Sequence, residues 1–294
     1  MPIVECVPNF SEGKNKKVIQ AIKNSIAKIS GIKVLDIHMD PDHNRSVISF
    51  IGEPDQAIKA AFEAVKKAAQ LIDLTKHKGE HPRIGATDVV PLIPLEGITY
   101  KECIKLAEKL GKKIGEELKI PVYLYEKAAT KFERKNLANL RKGGYERLKN
   151  EIKKPYRKPD FGPSKLSKAG VTAVSVRPVL IAFNVNLKTN DLKIAKYIAK
   201  KLREKNGGLP AVKALAISLK SKNIVQVSMN LTNYIVTPPL KAFKKVEKEA
   251  KKFGIKISES EIVGLVPKDA LPKNPKKSLK LKKLKYLQKF SKSV

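Results

Sequence analysis

The chain has 294 residues, of which 42% are hydrophobic and none is tryptophan, and its formal net charge is +33. This length can bury one large core or two smaller ones, and the composition is typical of a soluble globular protein. No apolar run approaches membrane-spanning length and no signal peptide is recognisable, so no membrane partner is expected. Cys6 and Cys103 are too few for a disulfide framework, which favours a reducing cytoplasm.

The positive charge alone would favour nucleic-acid binding. However, the lysines are spread over nearly every predicted helix, and no aromatic-rich RNA-binding signature or zinc-finger spacing occurs. Lysine excess is also typical of proteins from hot environments, and dispersed positive charge attracts small anions. We therefore predict small anionic substrates and no specific nucleic-acid partner.

The first part of the chain alternates strand-like and helix-like segments. Ser11 is a candidate N-cap for a first helix whose apolar stripe runs from Val18 to Ile29, and Pro54 opens a second helix. Strands are predicted at 2–7, 34–37, 47–51 and 89–93. This β-α-β-β-α-β order predicts a ferredoxin-like antiparallel sheet with its helices on one face.

Further elements are predicted before a proline-rich segment at 153–168. A capping box formed by Thr99 and Glu102 starts a helix that extends to Leu118. A strand follows at 122–125, and two short helices lie within 134–152.

The strand and helix pattern then restarts. Strands are predicted at 180–187, 212–218, 224–231 and 262–266, and helices at 191–205 and 239–253. We therefore predict an α+β fold of two ferredoxin-like domains, 1–178 and 179–294, with mainly antiparallel sheets and a ligand cleft between them. For the lysine-rich tail, 268–294, a terminal helix laid on the protein or a frayed end is favoured over a membrane-surface helix.

The segment 73–94 concentrates the candidate chemistry. It holds His77 and His81, two of only four histidines, together with Glu80 and Arg83 among several glycines and prolines. Glycine and proline at this density rule out a long regular helix and fix a particular backbone path. Polar groups on an irregular loop between regular elements are typical of a catalytic site.

Three interpretations of the HKGEH sequence compete. Its spacing fits the H-x-x-E-H motif of inverted zinc proteases, but Pro82 pushes His81 out of helical dihedrals and Gly79 weakens the same turn. A second interpretation is that the two histidines only cap the loop. A general acid–base histidine is favoured, because imidazole has an unperturbed pKa near neutrality.

Only eight of the basic residues are arginines. In a chain that otherwise uses lysine, an arginine indicates a place where a flat, bidentate hydrogen-bond donor matters. They are Arg45, Arg83, Arg134, Arg141, Arg147, Arg157, Arg177 and Arg203.

Eight segments, in one order along the chain, resemble the glutamate formimidoyltransferase family, the transferase half of formimidoyltransferase-cyclodeaminase. They are VECVPNFSEG, DHNRSV, KGEHPRIGATDVVP, PVYLYEKAA, PDFGP, LIAFNVNL, QVSMNL and EIVGLVP. The resemblance implies transfer of a formimidoyl group from N-formimidoyl-L-glutamate to N5 of tetrahydrofolate, in histidine degradation, by a homodimer. The cyclodeaminase half is not matched, so a separate cyclodeaminase is an expected partner.

The resemblance also implies roles for individual residues. His81 matches the family's catalytic acid–base histidine, and no metal is expected. The family's folate-contacting segment matches Gly162, Pro163, Ser164, Lys165, Leu166, Ser167, Lys168, Ala169, Gly170 and Val171. Candidates for substrate binding, including arginine clamps for carboxylates and acids that orient His81, are His43, Asn44, Arg45, Glu80, Arg83, Asp88 and Arg177.

Two alternative functions remain open at this point. The same site could move a formyl group between 5-formyltetrahydrofolate and glutamate, because both reactions need a folate N5 and a glutamate amine. A basic folate-binding or nucleic-acid-binding protein without turnover is the alternative from another class. In a folate enzyme, lysines such as Lys165 and Lys168 are expected to favour polyglutamyl tails, and salt is expected to weaken that preference.

Overall fold

The computed structural model describes residues 1–287. They form two compact units, the first covering Met1–Arg177 and the second beginning at Pro178. The first unit contains β1 (Ile3–Cys6), β2 (Asn9–Phe10), α1 (Lys16–Ala27), β3 (Lys33–Asp40), β4 (Arg45–Gly52), α2 (Pro54–Leu71), β5 (Thr87–Glu96), α3 (Tyr100–Glu117), β6 (Val122–Glu126), α4 (Leu137–Leu140), α5 (Gly144–Glu151) and β7 (Thr172–Val176). The second contains β8 (Ile181–Leu187), α6 (Leu192–Leu202), β9 (Val212–Leu219), β10 (Ile224–Leu231), α7 (Pro239–Lys251), β11 (Ile257–Val263), β12 (Val266–Pro267), α8 (Pro275–Leu279) and β13 (Tyr286–Leu287).

The first unit is built on one seven-stranded sheet. Strands β1 and β2 together form an interrupted central strand that pairs antiparallel with β4 on one side and β5 on the other. Strand β3 extends the sheet beyond β4, so these strands have the order and antiparallel pairing of a ferredoxin-like sheet. Strands β7 and β6 then continue it beyond β5 as parallel neighbours.

Alternation along the strands separates the two faces of this sheet. Ile48 and Phe50 of β4, with Val90 and Leu92 of β5, point into the main core with the apolar sides of α1, α2 and α3. On the opposite face, a smaller core forms between the sheet and the segment that contains α4 and α5. The first residues of β4 and β5 lie on the two sides of β2, because β2 pairs with both strands there.

The second unit repeats the ferredoxin-like arrangement. Its four-stranded sheet has the order β11-β8-β10-β9 with antiparallel pairing throughout, and α6 and α7 are the two connecting helices. Phe183, Val185 and Val227 alternate into its core. The predicted α+β fold with mainly antiparallel sheets is therefore confirmed.

Local sequence signals predicted two of the helix starts correctly and a third incorrectly. The capping box of Thr99 and Glu102 is present with both of its hydrogen bonds, and Pro54 occupies the first turn of α2. The predicted N-cap at Ser11 is wrong. Asn15 caps α1, because its side chain accepts from two amides of the first turn, while the Ser11 hydroxyl donates to the Gly85 carbonyl at 2.7 Å.

Three further elements differ from the prediction. Strand β7 was not predicted, since a short strand buried between two parallel neighbours carries no alternating pattern. Strand β11 begins at Ile257, five residues before the predicted start. The predicted tail contains the short helix α8, and Leu279 and Leu281 pack on the core of the second unit, but Tyr286–Leu287 forms β13, which pairs parallel with β12 and was not predicted. The rest of the predicted tail, 288–294, lies outside the described residues.

Within residues 1–287, no helix combines the length and the apolar character that crossing a bilayer requires.

Candidate active site

The loop between α2 and β5 runs beside the segment predicted to contact folate. Both belong to the first unit, so their pairing is a property of that unit alone. Three backbone hydrogen bonds join them: Leu74 N to Lys168 O at 2.8 Å, Val171 N to Ile84 O at 3.0 Å and Ala86 N to Ala169 O at 2.8 Å. The end of the predicted folate segment therefore pairs with Leu74, which precedes His81, and with Ile84 and Ala86, which follow it.

Gly79 allows this loop to approach the turn between β3 and β4. A Cβ atom at this position would lie 2.5 Å from the His43 carbonyl oxygen, much closer than any real Cβ contact. The amide of Glu80 donates to the Asp42 carbonyl oxygen at 3.2 Å in the same region. The glycine of HKGEH is thus required by close backbone contact, and it places the two histidines next to the β3–β4 turn.

Asn44 fixes that turn from within. Its backbone is left-handed, with φ of 45°, and the residue is buried. Its side-chain oxygen accepts from the Gly13 amide at 2.8 Å, and its side-chain nitrogen donates to the Lys78 carbonyl at 2.8 Å. Both ends of the side-chain amide bond to backbone groups, so Asn44 fixes the shape of the site in this structure, and its contact with the substrate stays a prediction.

His77 is held neutral by its two hydrogen bonds. Its Nδ1 accepts from Arg83 Nε at 2.9 Å, and arginine can only donate. The proton must therefore be on Nε2, which donates to the Asn44 carbonyl at 2.9 Å. Burial lowers the pKa of His77, and the Arg83 charge adds to this effect. Both ring nitrogens are used for structure, which leaves no lone pair for a metal or a substrate.

Arg83 holds the loop against α5. Besides His77, its guanidinium contacts both carboxylate oxygens of Glu146 on α5, at 2.7 and 3.1 Å. One of its nitrogens also donates to the His77 carbonyl oxygen at 3.1 Å. In this structure the bidentate partner of Arg83 is a carboxylate of this chain, and the predicted contact of Arg83 with a substrate carboxylate stays a prediction. This structure gives Arg83 the role of a positioning residue for the loop.

His81 is oriented by a backbone oxygen. Its Nδ1 lies 2.8 Å from the Pro82 carbonyl oxygen, so Nδ1 carries the proton and the lone pair is on Nε2. The ring stacks on that of His43, with centroids 5.8 Å apart and planes inclined by 29°. Glu80 or Asp88 was suggested either to orient this imidazole or to pair with the substrate cation; the Pro82 carbonyl accepts from the ring in this structure, and the roles of the two carboxylates stay predictions.

The pKa of His81 lies well below its ordinary value of 6.5. Burial is the main cause, and the positive charges of Arg45 and Arg141 act in the same direction, followed by His43. His81 is therefore a neutral base at physiological pH, with an unprotonated Nε2. This is the protonation state that a general base needs before it can accept a proton.

Asp88 links two arginines beneath this loop. Its side chain is fully buried, and its Oδ2 accepts from Arg45 Nη1 at 2.8 Å and from Arg141 Nη2. Its Oδ1 accepts from the Ile84 amide at 2.8 Å. Burial favours the neutral acid, but the two guanidinium groups and this amide outweigh it and hold the pKa of Asp88 below its ordinary value. Arg45 is fixed further by a 3.1 Å bond from its Nε to the Asn9 side-chain oxygen.

The backbone of Arg177 lies away from this cluster. Its amide donates to the Leu92 carbonyl at 3.1 Å, four residues along β5 from Asp88, which is roughly 13 Å along a strand. Its charge acts on Glu5, where burial dominates and raises the pKa to about 7, and also on Tyr125, which the charge of Arg141 influences too. The structure therefore brings together six of the seven predicted substrate residues and places Arg177 with Glu5.

Sequence reasoning missed Arg141 and Glu146 as members of the site. Both come from the segment of α4 and α5, more than fifty residues after the histidine loop. A signal for Arg141 did exist, since it is one of few arginines in a lysine-rich chain. An exposed glutamate on a short helix, such as Glu146, carries no comparable signal.

Two family models match almost the whole chain. The formiminotransferase domain, N-terminal subdomain, matches residues 3–177, and the formiminotransferase domain matches residues 182–291. The chain belongs to the formiminotransferase family. Its two matched regions correspond to the two compact units, and the His81 loop with its arginine cluster belongs to the N-terminal subdomain.

Similar proteins agree with this assignment. The chain is 51% identical over 273 residues to the glutamate formimidoyltransferase of Thermoplasma acidophilum, covering 92% of this chain and 90% of that protein. It is 44% identical over 270 residues to the glutamate formimidoyltransferase of Streptococcus pyogenes serotype M1, with coverage of 92% and 90%. The formimidoyltransferase-cyclodeaminase of Mus musculus is 42% identical over 276 residues, and the match spans 51% of its length.

The pH dependence of stability follows from the two histidines. Both pKa values are lowered in the folded state, so as the pH falls below 6.5 the unfolded chain binds protons first. Their contribution to the free energy of unfolding is therefore complete above pH 6.5 and is lost as the pH falls towards the folded pKa values. We expect His77→Asn, which keeps an acceptor for Arg83, to reduce this pH dependence.

Urea unfolding of both proteins at several pH values on either side of 6.5 measures the effect. The informative quantity is the difference in the free energy of unfolding between the wild type and His77→Asn, since acidic residues elsewhere titrate equally in both proteins. A difference that does not change with pH would contradict the assignment of a lowered pKa to His77.

Proposed function

We propose that this protein is a glutamate formimidoyltransferase, which transfers the formimidoyl group of N-formimidoyl-L-glutamate to N5 of tetrahydrofolate and releases glutamate. Two relatives with that name are 51% and 44% identical to the chain and are matched along 90% of their length. The observation that carries the proposal in this structure is His81, a neutral imidazole with an unprotonated Nε2 in the loop that the family signature identified.

The chemistry of the reaction matches that imidazole. N5 of tetrahydrofolate attacks the formimidoyl carbon, a new C–N bond forms, and N5 loses a proton to His81 Nε2. The tetrahedral intermediate then collapses, the C–N bond to glutamate breaks, and the departing amine takes the proton from His81. One residue can serve both steps, because the proton accepted in the first is returned in the second.

The folate site is proposed on the predicted segment Gly162–Val171. Support comes from its backbone pairing, which brings Lys168 against Leu74 before His81 and brings Ala169 and Val171 against the residues that follow His81. This proximity allows a pterin held by the segment to present N5 to the imidazole. The cleft predicted between the two domains stays a prediction.

Assays of the purified protein test the function directly. With N-formimidoyl-L-glutamate and tetrahydrofolate, we expect stoichiometric release of glutamate together with formation of 5-formimidoyltetrahydrofolate. The same protein with 5-formyltetrahydrofolate and glutamate tests the formyl alternative. Turnover only in the second assay would replace the proposed reaction with formyl transfer, and turnover in neither would leave the non-catalytic alternative.

Turnover is expected to need no metal ion. His77 has no free lone pair, and His81 Nδ1 is occupied by the Pro82 carbonyl, so HKGEH cannot offer two imidazoles to one zinc ion in this conformation. We expect full activity after dialysis against a chelator, with metal content measured by mass spectrometry. Stoichiometric zinc, together with activity that is lost on chelation and restored by zinc, would contradict this.

The proposed partners are small molecules and a second copy of the chain. Relatives that include a cyclodeaminase, such as the mouse protein, are about twice as long as their match to this chain. A cyclodeaminase supplied as a separate protein would consume the product here. Homodimer formation and a cytoplasmic location also stay predictions, which sedimentation and cell fractionation can test.

A further inference from the structure

The cluster beneath the His81 loop has an unbalanced charge. Arg45 and Arg141 both donate to the same oxygen of Asp88, and the other oxygen of that carboxylate accepts a neutral backbone amide. One carboxylate therefore faces two guanidinium groups. A charge withdrawn from water is costly unless an opposite charge is near, so this arrangement favours the arrival of a further anion.

Arg141 also retains unused donor capacity. Its Nε is buried and has no hydrogen-bond partner among the residues that the structure describes. Its side chain is 14% exposed, compared with 9% for Arg45 and 0% for Asp88, so Arg141 is the more accessible of the two arginines. Buried guanidinium donors are normally satisfied, and an unsatisfied one in a cluster with excess positive charge indicates a place for a ligand.

This cluster acts directly on the proposed catalytic base. After burial, the charges of Arg45 and Arg141 are the largest influences that lower the pKa of His81. An anion bound to the cluster would therefore lie within electrostatic reach of the imidazole. In N-formimidoyl-L-glutamate, the α-carboxylate is attached to the carbon that bears the reacting nitrogen, whereas the side-chain carboxylate is several bonds farther away.

We propose that Arg141, anchored by Asp88 and assisted by Arg45, binds the α-carboxylate of the glutamate portion of the substrate, the carboxylate attached to the carbon that bears the reacting nitrogen. This inference rests on the proposed function, because it takes the substrate from it. Arg141 contributes as donors its Nε and the guanidinium nitrogen that does not contact Asp88. Arg45 contributes charge, since two of its nitrogens are already bonded to Asn9 and Asp88.

The same contact explains how His81 performs two opposite tasks. In the free protein, burial together with the excess positive charge keeps the imidazole unprotonated and ready to accept the N5 proton. When the substrate carboxylate neutralises that charge, the pKa of His81 rises, and the imidazolium is stabilised until it protonates the departing amine. Release of glutamate then restores the low pKa for the next cycle.

Histidine-labelled protein and NMR titration test this without turnover. The His81 signals are assigned by their loss in His81→Gln, and the pKa is measured alone and with saturating amino acid. We expect L-glutamate to raise the pKa of His81, and α-aminobutyrate, which keeps the α-carboxylate, to raise it too. We expect no rise with γ-aminobutyrate, which lacks that group.

Three variants locate the effect. Arg141→Gln leaves Asp88 paired with Arg45, so folding should be preserved; its free His81 pKa should be higher, and glutamate should bind about tenfold more weakly or worse. Arg141→Lys keeps the charge and the low pKa but should also bind glutamate weakly, because it lacks Nε. Arg147→Gln, which changes an exposed arginine paired with Glu151, is the matched control and should behave as wild type.

The outcomes separate this site from the proposed function. Glutamate binding by Arg141→Gln or Arg141→Lys as tight as wild type, or an equal pKa rise with γ-aminobutyrate, would overturn the site even if formimidoyl transfer is observed. If transfer is absent but glutamate raises the pKa of His81 only when Arg141 is present, the carboxylate site stands and the proposed reaction fails.

Discussion

Replacing His81 with alanine is expected to lower turnover by about two to four orders of magnitude, the usual contribution of a general acid–base residue. The reason is that Nε2 is the unprotonated base and the Pro82 carbonyl holds the ring in that tautomer. Folate affinity should change little, because the backbone pairing of the predicted folate segment involves Ile84 and Ala86, not His81. Steady-state kinetics and folate binding on one preparation measure both quantities.

Two controls make the result specific to proton transfer. Added imidazole should restore part of the activity of His81→Ala, since the vacated space can admit a small base. His77→Asn tests the neighbouring ring, and it should retain far more activity, because His77 has no free nitrogen for the reaction. Near-normal turnover of His81→Ala would remove His81 from the mechanism.

Replacing Asp88 with asparagine is expected to lower the free energy of unfolding by about 3–5 kcal/mol, which is the usual effect of removing one partner of a buried ion pair. Asp88 is fully buried and is the shared partner of Arg45 and Arg141, so the amide would leave two buried guanidinium groups without a counter-charge. Activity should be lost as well, because neither arginine would remain fixed beneath the His81 loop.

Glu146→Gln provides the matched change of carboxylate to amide. Glu146 pairs with Arg83 but is 65% exposed, and exposed ion pairs contribute less than about 1 kcal/mol. Urea denaturation of both variants at neutral pH compares the two pairs. Equal destabilisation of the two variants would contradict the central role given to Asp88.

Much of the fold follows from local patterns. Alternation along the strands and the three-to-four-residue spacing of apolar positions on the helices determine the order β-α-β-β-α-β in each unit. The capping box at Thr99 and the proline at position 54 fix two helix starts, because their hydrogen bonds lie within one turn. Strand β7 was missed because it is buried between parallel neighbours, where the pattern of polar residues is lost.

The position of the site was also visible in the sequence. His81 was identifiable because the glycines and prolines around it impose an irregular loop and because the family signature is contiguous there. The predicted irregular backbone of the loop is present at Gly79, whose lack of a Cβ lets the loop contact the β3–β4 turn. Local chain geometry thus selected the loop on which the chemistry was predicted.

The partners of each side chain were decided only by the tertiary structure. The sequence identified Arg45, Arg83 and Asp88 as polar candidates. It did not indicate that Arg83 forms an ion pair with Glu146 or that Asp88 forms one with Arg141. These pairs join residues that are 53 and 63 positions apart, and their geometry depends on how the α4–α5 segment packs against the sheet. The sequence determined the strands, the helices and the loop that holds the proposed catalytic histidine, whereas packing over long separations determined the protonation state of that histidine and the excess charge beside it.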